Sequence, residues 1–171
     1  MPRIQPLKDD QATPQARTLF DKIQGAFKMV PNIFRTMGHA PSVLEATLAF
    51  DHAIHGDLDP KLRELAYLKT SQLNHCKYCQ HYHTGAARKV GVSEEQVRHL
   101  EAFETSSVYS DLEKLVLRFA EQWTRQAKVE DEVVSALSQR LSPSQLMVLA
   151  ATVGLANWTN RFNETFDIQL P

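Results

Sequence analysis

The sequence predicts an all-α protein, a compact bundle of several helices. Apolar residues recur at the 3.6-residue spacing of helices along most of the 171 residues. Capping residues and prolines stand where several of these stretches begin. No stretch of useful length alternates apolar and polar residues, and there is no Asn-Gly or Asp-Gly hairpin signal.

Three predicted helices occupy the first half of the chain. The first begins at Thr13-Pro14, a cap followed by proline, and ends before the break at Val30-Pro31-Asn32. The second begins near Pro41 and ends at Gly56, and the third begins at Asp59-Pro60. The first helix has an apolar stripe of Ala16, Leu19, Phe20, Ile23 and Phe27, and the second has Leu44, Thr47 and Leu48 on one face. In the third helix, the residues predicted to face inward are Leu62, Leu65, Ala66 and Leu73.

The sequence pattern of the second half of the chain predicts five more helices. The fourth runs from about Cys76 to Gly91, and a capping box in Ser93-Glu94-Glu95-Gln96 opens the fifth. The sixth has the clearest period, and a seventh precedes a last helix capped by Ser142-Pro143. The apolar stripes are Leu112, Leu115, Val116, Phe119, Ala120, Trp123 and Ala127 in the sixth helix and Val133, Val134, Leu137 and Leu141 in the seventh.

Composition and charge narrow the classes of function. The net charge of −1 shows no basic excess, so we expect no nucleic-acid partner. The uncharged stretch from Leu141 to Asn160 has too short an apolar centre for a bilayer, so we expect a buried core helix and no membrane association. The first residues lack the apolar run of a secretory signal, which indicates a cytoplasmic protein. The length suits one domain, residues 1–171.

Cys76 and Cys79 are the only cysteines, and their spacing carries the chemical signal. A pair so close in sequence adds little stability as a disulfide, so redox chemistry or metal binding is indicated. On a helix, Cys76 and His83 point the same way to within about 20°, and Cys79 and His83 are neighbours one turn apart. The first turn of a helix favours a thiolate over a thiol, and the thiolate is the reactive form.

Proton transfer in such a site needs a base and a group that orients it. His83 can accept or deliver a proton, and Glu64 on the preceding helix can orient that histidine. The residues alone leave Glu64 equally compatible with an exposed helix carboxylate. A CxxC pair can also convert a sulfenic acid on one sulfur into a disulfide with the other.

The spacing of these four residues resembles a known family. Glu64, eleven residues, Cys76-x-x-Cys79, three residues and His83 is similar to the active-site pattern of the alkylhydroperoxidase D-like (AhpD-like) branch of the carboxymuconolactone decarboxylase superfamily. The resemblance covers a motif-bearing core of about residues 44–102. The flanking helices, with Asn157 and Asn160 to Asn163 near the end, resemble the peroxidase-related members.

The resemblance implies an AhpD-like bundle and an alkylhydroperoxidase-like thiol oxidoreductase that requires no cofactor or metal. It implies that Cys79 attacks the peroxide, that Cys76 resolves it, and that His83 and Glu64 relay protons. It also implies a hydroperoxide substrate, an external dithiol or thiol-protein reductant, and a homo-oligomer, a trimer or a hexamer. Members that decarboxylate a muconolactone generally lack the CxxC pair, so its presence disfavours that reaction.

One position departs from the family's founding peroxidase. That enzyme has a further histidine directly before the second cysteine, where this chain has Tyr78. A tyrosine hydroxyl can hydrogen-bond a thiolate or a water molecule, but it is a poor base at neutral pH. We therefore assign Tyr78 a supporting place beside the cysteines.

Two alternatives stay open at this point. The same cysteine pair suits a disulfide oxidoreductase or redox sensor with little peroxidase activity, acting on a protein thiol. The C-x2-C-x3-H spacing also offers zinc three ligand types, with His75, His81 or Glu64 as a fourth ligand. A zinc-binding helical module is therefore the third hypothesis.

Overall fold

The computed structural model describes residues 1–171 and contains α-helices with no β-strand. The prediction of an all-α fold is confirmed. One turn of 3-10 helix, Asp9–Gln11, comes first. The α-helices are α1 (Pro14–Phe27), α2 (Asn32–Met37), α3 (Pro41–Ala53), α4 (Pro60–Leu73), α5 (Lys77–Lys89), α6 (Glu94–Arg98), α7 (Asp111–Gln126), α8 (Asp131–Ser138) and α9 (Pro143–Phe166).

Side-chain caps open the helices at the predicted residues. The Thr13 hydroxyl accepts the Ala16 N–H at 3.2 Å, and the Asp59 carboxylate accepts the Lys61 N–H at 2.7 Å. Ser93 and Gln96 form the predicted capping box at the start of α6. Ser142 accepts the Gln145 N–H at 3.2 Å at the start of α9. These bonds satisfy N–H groups that a helix start leaves without an intrahelical partner.

The chain divides into two compact units, each described by itself. The first comprises Met1–His52 and Phe162–Pro171, and the second comprises Ala53–Arg161. The single domain over 1–171 and the motif-bearing core over 44–102 stay predictions.

The first unit is built around the buried face of α1. Ala16, Leu19, Phe20 and Ile23 are buried, as the helical spacing predicts. Phe27, at the end of the same apolar stripe, is 54% exposed. It is the last residue of α1, and Lys28 then turns the chain with a left-handed φ of 64°. The short helix α2 after Pro31 is an element that the sequence pattern did not reveal.

The second unit is organised around α4, which is buried on nearly every side. All ten residues from Leu62 to Ser71 are buried, including three charged side chains, those of Arg63, Glu64 and Lys69. Two apolar clusters enclose the helix. The first is Leu58, Leu62, Ala66, Val116, Phe119, Ala120, Val133, Leu137, Leu141, Leu149 and Val153. The second is Leu65, Leu68, Ala87, Val92, Leu100, Phe103, Tyr109 and Leu117.

The helix α9 confirms the prediction of a core helix over the uncharged stretch. Leu149, Val153, Leu155 and Ala156 are buried along it. No helix of the chain combines the length and the apolar character that crossing a bilayer requires.

A buried carboxylate joins α4, α6 and α7. Glu113 Oε1 lies 2.7 Å from Lys61 Nζ and accepts from Gln96 Nε2 at 3.1 Å. Its second oxygen accepts the Ser110 N–H at 2.8 Å. Burial raises the pKa of Glu113, but the hydrogen bonds from Lys61, Ser110 and Gln96 outweigh it and lower the pKa overall. Glu113 is therefore ionised and stabilising at neutral pH.

Replacing Glu113 by Gln should lower the free energy of unfolding at neutral pH by about 1–3 kcal/mol, because a charge-assisted bond to Lys61 is lost. The pKa of Glu113 in the folded state lies below the unfolded value of about 4.3. The extra stability of wild type over Glu113→Gln is therefore fully present above about pH 4.3, and it is lost as pH falls through the folded-state pKa. Urea unfolding at a series of pH values measures this. The exposed Glu132→Gln is the matched control, and an equal loss at all pH values would contradict the prediction.

Candidate active site

Cys76 ends the turn between α4 and α5 and is the N-cap residue of α5. Asn74 ends α4, and His75 reverses the chain with a φ of 56°. The Cys76 N–H then donates to the Ser71 carbonyl at 3.0 Å. The Cys79 N–H donates to Cys76 Sγ at 3.3 Å, so a sulfur atom occupies the place of the usual capping oxygen.

Both cysteines are buried at the N-terminal end of α5. The unpaired N–H groups of a first helical turn carry partial positive charge, which favours a thiolate. Cys79 and His83 lie one turn apart within α5, as the spacing predicts. The rotation argument does not extend to Cys76, because its φ of −75° and ψ of 91° are not helical. Its sulfur approaches Cys79 through the cap instead.

The structure brings Glu64 and His83 together. His83 Nδ1 lies 2.9 Å from Glu64 Oε2, between α5 and α4. The reading of Glu64 as an exposed carboxylate is wrong, since only 5% of it is exposed. Burial raises the pKa of Glu64, but the hydrogen bond and charge of His83, followed by Arg63, lower it overall. An ionised carboxylate only accepts hydrogen bonds, so we assign the Nδ1 proton to His83 and leave Nε2 as the basic nitrogen.

Arg63 lies on the other side of the same carboxylate. Its Nε is 3.6 Å from Glu64 Oε1, and the guanidinium is buried. The buried Nε makes no hydrogen bond. The contribution of Arg63 is therefore mainly the charge that helps to keep Glu64 ionised, and sequence reasoning did not assign it a place in the site.

Sequence reasoning also missed Tyr67. Its ring stacks on the His83 imidazole, with centroids 3.5 Å apart and planes inclined by 13°. Its hydroxyl lies 2.5 Å from Thr159 Oγ1 on α9. Tyr67 is three residues after Glu64, one turn along α4. The three-residue spacing between Glu64 and Tyr67 on the predicted helix was the sequence signal that could have identified Tyr67 as a neighbour of Glu64.

Amides of α9 hold the turn that carries Cys76. Asn74 Nδ2 donates to Asn157 Oδ1 and Asn160 Oδ1, both at 3.0 Å, and Asn160 Nδ2 donates to Ser71 Oγ at 3.1 Å. Asn160 is completely buried, so it belongs to the core of the second unit. These bonds fix the end of α4 against α9 and thereby the position of the CxxC pair.

His75, His81 and Tyr78 are the remaining residues that the sequence placed near the cysteine pair. His75 and His81 are exposed. Tyr78 is buried, and its ring centroid lies 5.0 Å from that of Tyr82. No group of three or more His, Cys, Asp and Glu side chains is arranged to hold a metal ion. The structure therefore offers no set of ligands that would support the zinc hypothesis.

The cap predicts a stability difference between two variants at position 76. In reduced protein, Cys76→Ala should be less stable than Cys76→Ser by about 1 kcal/mol, because only serine can accept the Cys79 N–H. Urea unfolding under reducing conditions measures it. Cys79→Ala and Cys79→Ser are the matched pair, and an equally large gap between them would contradict a capping role specific to Cys76.

Removing Arg63 should raise the pKa of Glu64. In Arg63→Gln the lowering effect of the guanidinium is lost while burial remains, so Glu64 takes up a proton at a higher pH than in wild type. The stabilising charge of Glu64 is present at neutral pH and lost as pH falls through its folded pKa, so this loss begins at a higher pH in the variant. Carbon-13 NMR of the Glu64 carboxyl group follows the titration. The exposed Arg125→Gln is the control, and an unchanged Glu64 titration in Arg63→Gln would refute the role.

Comparisons with known proteins agree with this architecture. The model of the carboxymuconolactone decarboxylase family matches residues 41–122. YdfG of Bacillus subtilis is 31% identical over 103 residues, which are 59% of this chain and 70% of YdfG.

Solved structures share the fold over almost the whole chain. A peroxidase-related protein from Ralstonia eutropha with an alkylhydroperoxidase AhpD core superposes with a TM-score of 0.86 at 20% identity, covering 99% of this chain and 92% of that one. The debrominase Bmp8 superposes with a TM-score of 0.82 at 24% identity, covering 98% and 91%. The chain therefore belongs to the carboxymuconolactone decarboxylase family and has the fold of its AhpD-like, peroxidase-related structures.

Proposed function

We propose that this protein is a peroxidase-like thiol oxidoreductase that reduces hydroperoxides through a disulfide between Cys76 and Cys79. The observation that carries the proposal is the pairing of a CxxC motif at the start of α5 with a buried Glu64–His83 hydrogen bond of 2.9 Å. Such a site contains a nucleophile, a base one turn away and a group that orients the base. Family membership supports an enzyme of this broad class.

The first step oxidises Cys79. His83 Nε2 takes the thiol proton, and the Cys79 thiolate attacks the terminal oxygen of the hydroperoxide. The O–O bond breaks, leaving a sulfenic acid on Cys79 and an alkoxide. The alkoxide takes the proton back from His83 and leaves as an alcohol. Glu64 stabilises the imidazolium that exists between these two transfers.

The second step closes the disulfide. Cys76, whose sulfur accepts the Cys79 N–H, attacks the sulfenic sulfur, and the hydroxyl group leaves as water with the Cys76 proton. One hydroperoxide and two thiols thus give one alcohol, one water and one disulfide. An external dithiol or thiol protein then restores both thiols by disulfide exchange.

The two sulfurs have different surroundings, which supports a division of roles. Cys79 lies one turn from His83 on α5, where a base can take its proton. Cys76 has the cap hydrogen bond, which favours its thiolate without a base. We therefore keep Cys79 as the attacking residue and Cys76 as the resolving residue.

The same cysteine pair could react with partners other than a hydroperoxide. A disulfide oxidoreductase or redox sensor would form the same disulfide and exchange it with a protein thiol. Bmp8 is a debrominase of the same fold, which makes a bromopyrrole a second acceptor to assay. Reductive debromination of a bromopyrrole would also consume two electrons, because hydrogen replaces bromine and bromide is released. A homo-oligomer, trimeric or hexameric, belongs to the proposal as the family resemblance implies.

Peroxide consumption by reduced protein tests the proposal. Wild type should consume an organic hydroperoxide and lose two thiols per chain, and Cys79→Ser should do neither, because the attacking sulfur is absent. Cys76→Ser should react once, lose its remaining thiol to a sulfenic acid, and form no intramolecular disulfide. A thiol count before and after peroxide and mass spectrometry of the products measure these outcomes.

Two results would refute the peroxidase function. Both thiols could persist in wild type under excess peroxide, or Cys79→Ser could retain the wild-type rate. Rapid loss of two thiols to an oxidised protein substrate, with slow peroxide turnover, would instead favour the disulfide oxidoreductase. A Glu132→Gln protein serves as the control for substitution and purification, because that side chain is exposed on α8, remote in sequence from the motif.

A further inference from the structure

We propose that Tyr67 is a positioning residue whose ring stabilises the imidazolium that His83 becomes when it takes the thiol proton. The inference rests on the proposed function, because it assigns a role within the same proton transfer. It concerns a residue outside the Glu-CxxC-His pattern, held on α4 one turn beyond Glu64.

The geometry of the stack is the first argument. The two rings overlap face to face, with centroids 3.5 Å apart and an inclination of 13°. Neutral aromatic pairs prefer offset or edge-to-face arrangements, with centroids about 4.5–7 Å apart, because the faces of both rings carry negative potential. A cation over a ring face is attracted by that same potential. The observed overlap therefore suits a histidine that becomes positively charged.

The anchoring of Tyr67 is the second argument. Thr159 Oγ1 donates to the Leu155 and Ala156 carbonyls at 3.0 and 3.2 Å. These carbonyl contacts favour the Tyr67 hydroxyl as the donor in its 2.5 Å bond to Thr159 Oγ1, although either oxygen can donate. Tyr67 is only 4% exposed, and this bond fixes the ring at its far end. Residues of α4, α5 and α9 thus hold one imidazole.

Restraint in two directions is the third argument. Glu64 holds Nδ1 within the plane of the imidazole, and Tyr67 covers one face of the ring. Together they fix the orientation of the imidazole, and therefore the direction in which Nε2 points. His83 and Cys79 lie on the same helix, α5. A base whose direction is fixed before the reaction avoids the cost of ordering it during proton transfer.

The test measures the reactivity of Cys79 in three variants made in a Cys76→Ser background. Tyr67→Leu removes the ring, Tyr67→Phe keeps the ring face but loses the bond to Thr159, and Thr159→Val removes the anchor. Two reactions are followed from pH 5 to 9 in each: stopped-flow oxidation by a hydroperoxide and alkylation by iodoacetamide. Phe103→Leu, in the apolar cluster beside Leu68, controls for the loss of a buried ring.

We expect Tyr67→Leu to slow both reactions at neutral pH by about tenfold, since a buried cation–π contact has that effect on a rate. The midpoint of its alkylation profile should move to higher pH, because the imidazolium that accompanies the thiolate is less stable. Tyr67→Phe should restore the rate to within about threefold of wild type, and Thr159→Val should resemble it, because the ring face remains.

Three outcomes would overturn the proposal: an unchanged pH profile in Tyr67→Leu, a Tyr67→Phe protein as slow as Tyr67→Leu, or a Phe103→Leu protein with the same shift. Circular dichroism and thermal melting exclude unfolding as the cause of a lower rate, and Tyr67→Phe keeps the test decisive if Tyr67→Leu does not fold. Alkylation separates this proposal from the proposed function. If wild type fails to reduce hydroperoxide, the peroxidase function falls, while the alkylation profiles still decide the role of Tyr67.

Discussion

The carboxylate of Glu64 is enclosed in protein, on a helix buried from Leu62 to Ser71. An isolated charge in such surroundings costs several kcal/mol, so its partners must be in place when the chain folds. His83 and Arg63 are those partners, at 2.9 and 3.6 Å from its two oxygens. The requirement to match this charge fixes the position of α5 against α4, and the cysteine pair lies at the start of α5, with Cys76 as its cap and Cys79 in its first turn.

The polar contacts of α9 complete the same constraint from another side. Asn160 and Asn157 hold the end of α4, and Thr159 holds the hydroxyl of Tyr67. A buried amide or hydroxyl that loses its partner costs about 1–3 kcal/mol, so these contacts specify one packing of the three helices. The apolar clusters on both sides of α4 supply most of the stabilising burial. The polar contacts decide how the helices are oriented at the candidate active site.

The fold by itself leaves the oxidant open, as it does in other fold families that carry several activities. Structures with this architecture include a peroxidase-related protein and a debrominase. In the proposed cycle, this chain's residues supply a pair of sulfurs, a proton acceptor and two electrons. A two-electron acceptor that can receive a sulfur attack is therefore the common chemical requirement of the candidate reactions.

The features that depend on neighbouring residues could be predicted from the amino-acid sequence. Helical spacing and caps such as Thr13, Asp59 and Ser93 act within a few residues, so the helices and their starts were predictable. The proximity of Cys79 to His83 follows from the same local geometry. The Glu64–His83 contact depends on packing between helices, and only the resemblance to a known family pointed to it.

Contacts between residues of different helices could not be predicted in this way and became visible in the folded protein. Leu62, Leu65 and Ala66 indicate one inward face of α4, yet the helix is buried on nearly every side. Arg63 and Glu64, which look like surface charges in the sequence, are therefore a buried pair. The stack of Tyr67 on His83, the bond of Tyr67 to Thr159 and the amides of α9 at the α4–α5 turn join residues that are 16 to 92 positions apart. Such contacts follow from the packing of whole helices, because neither local spacing nor capping carries information about which helix will lie opposite.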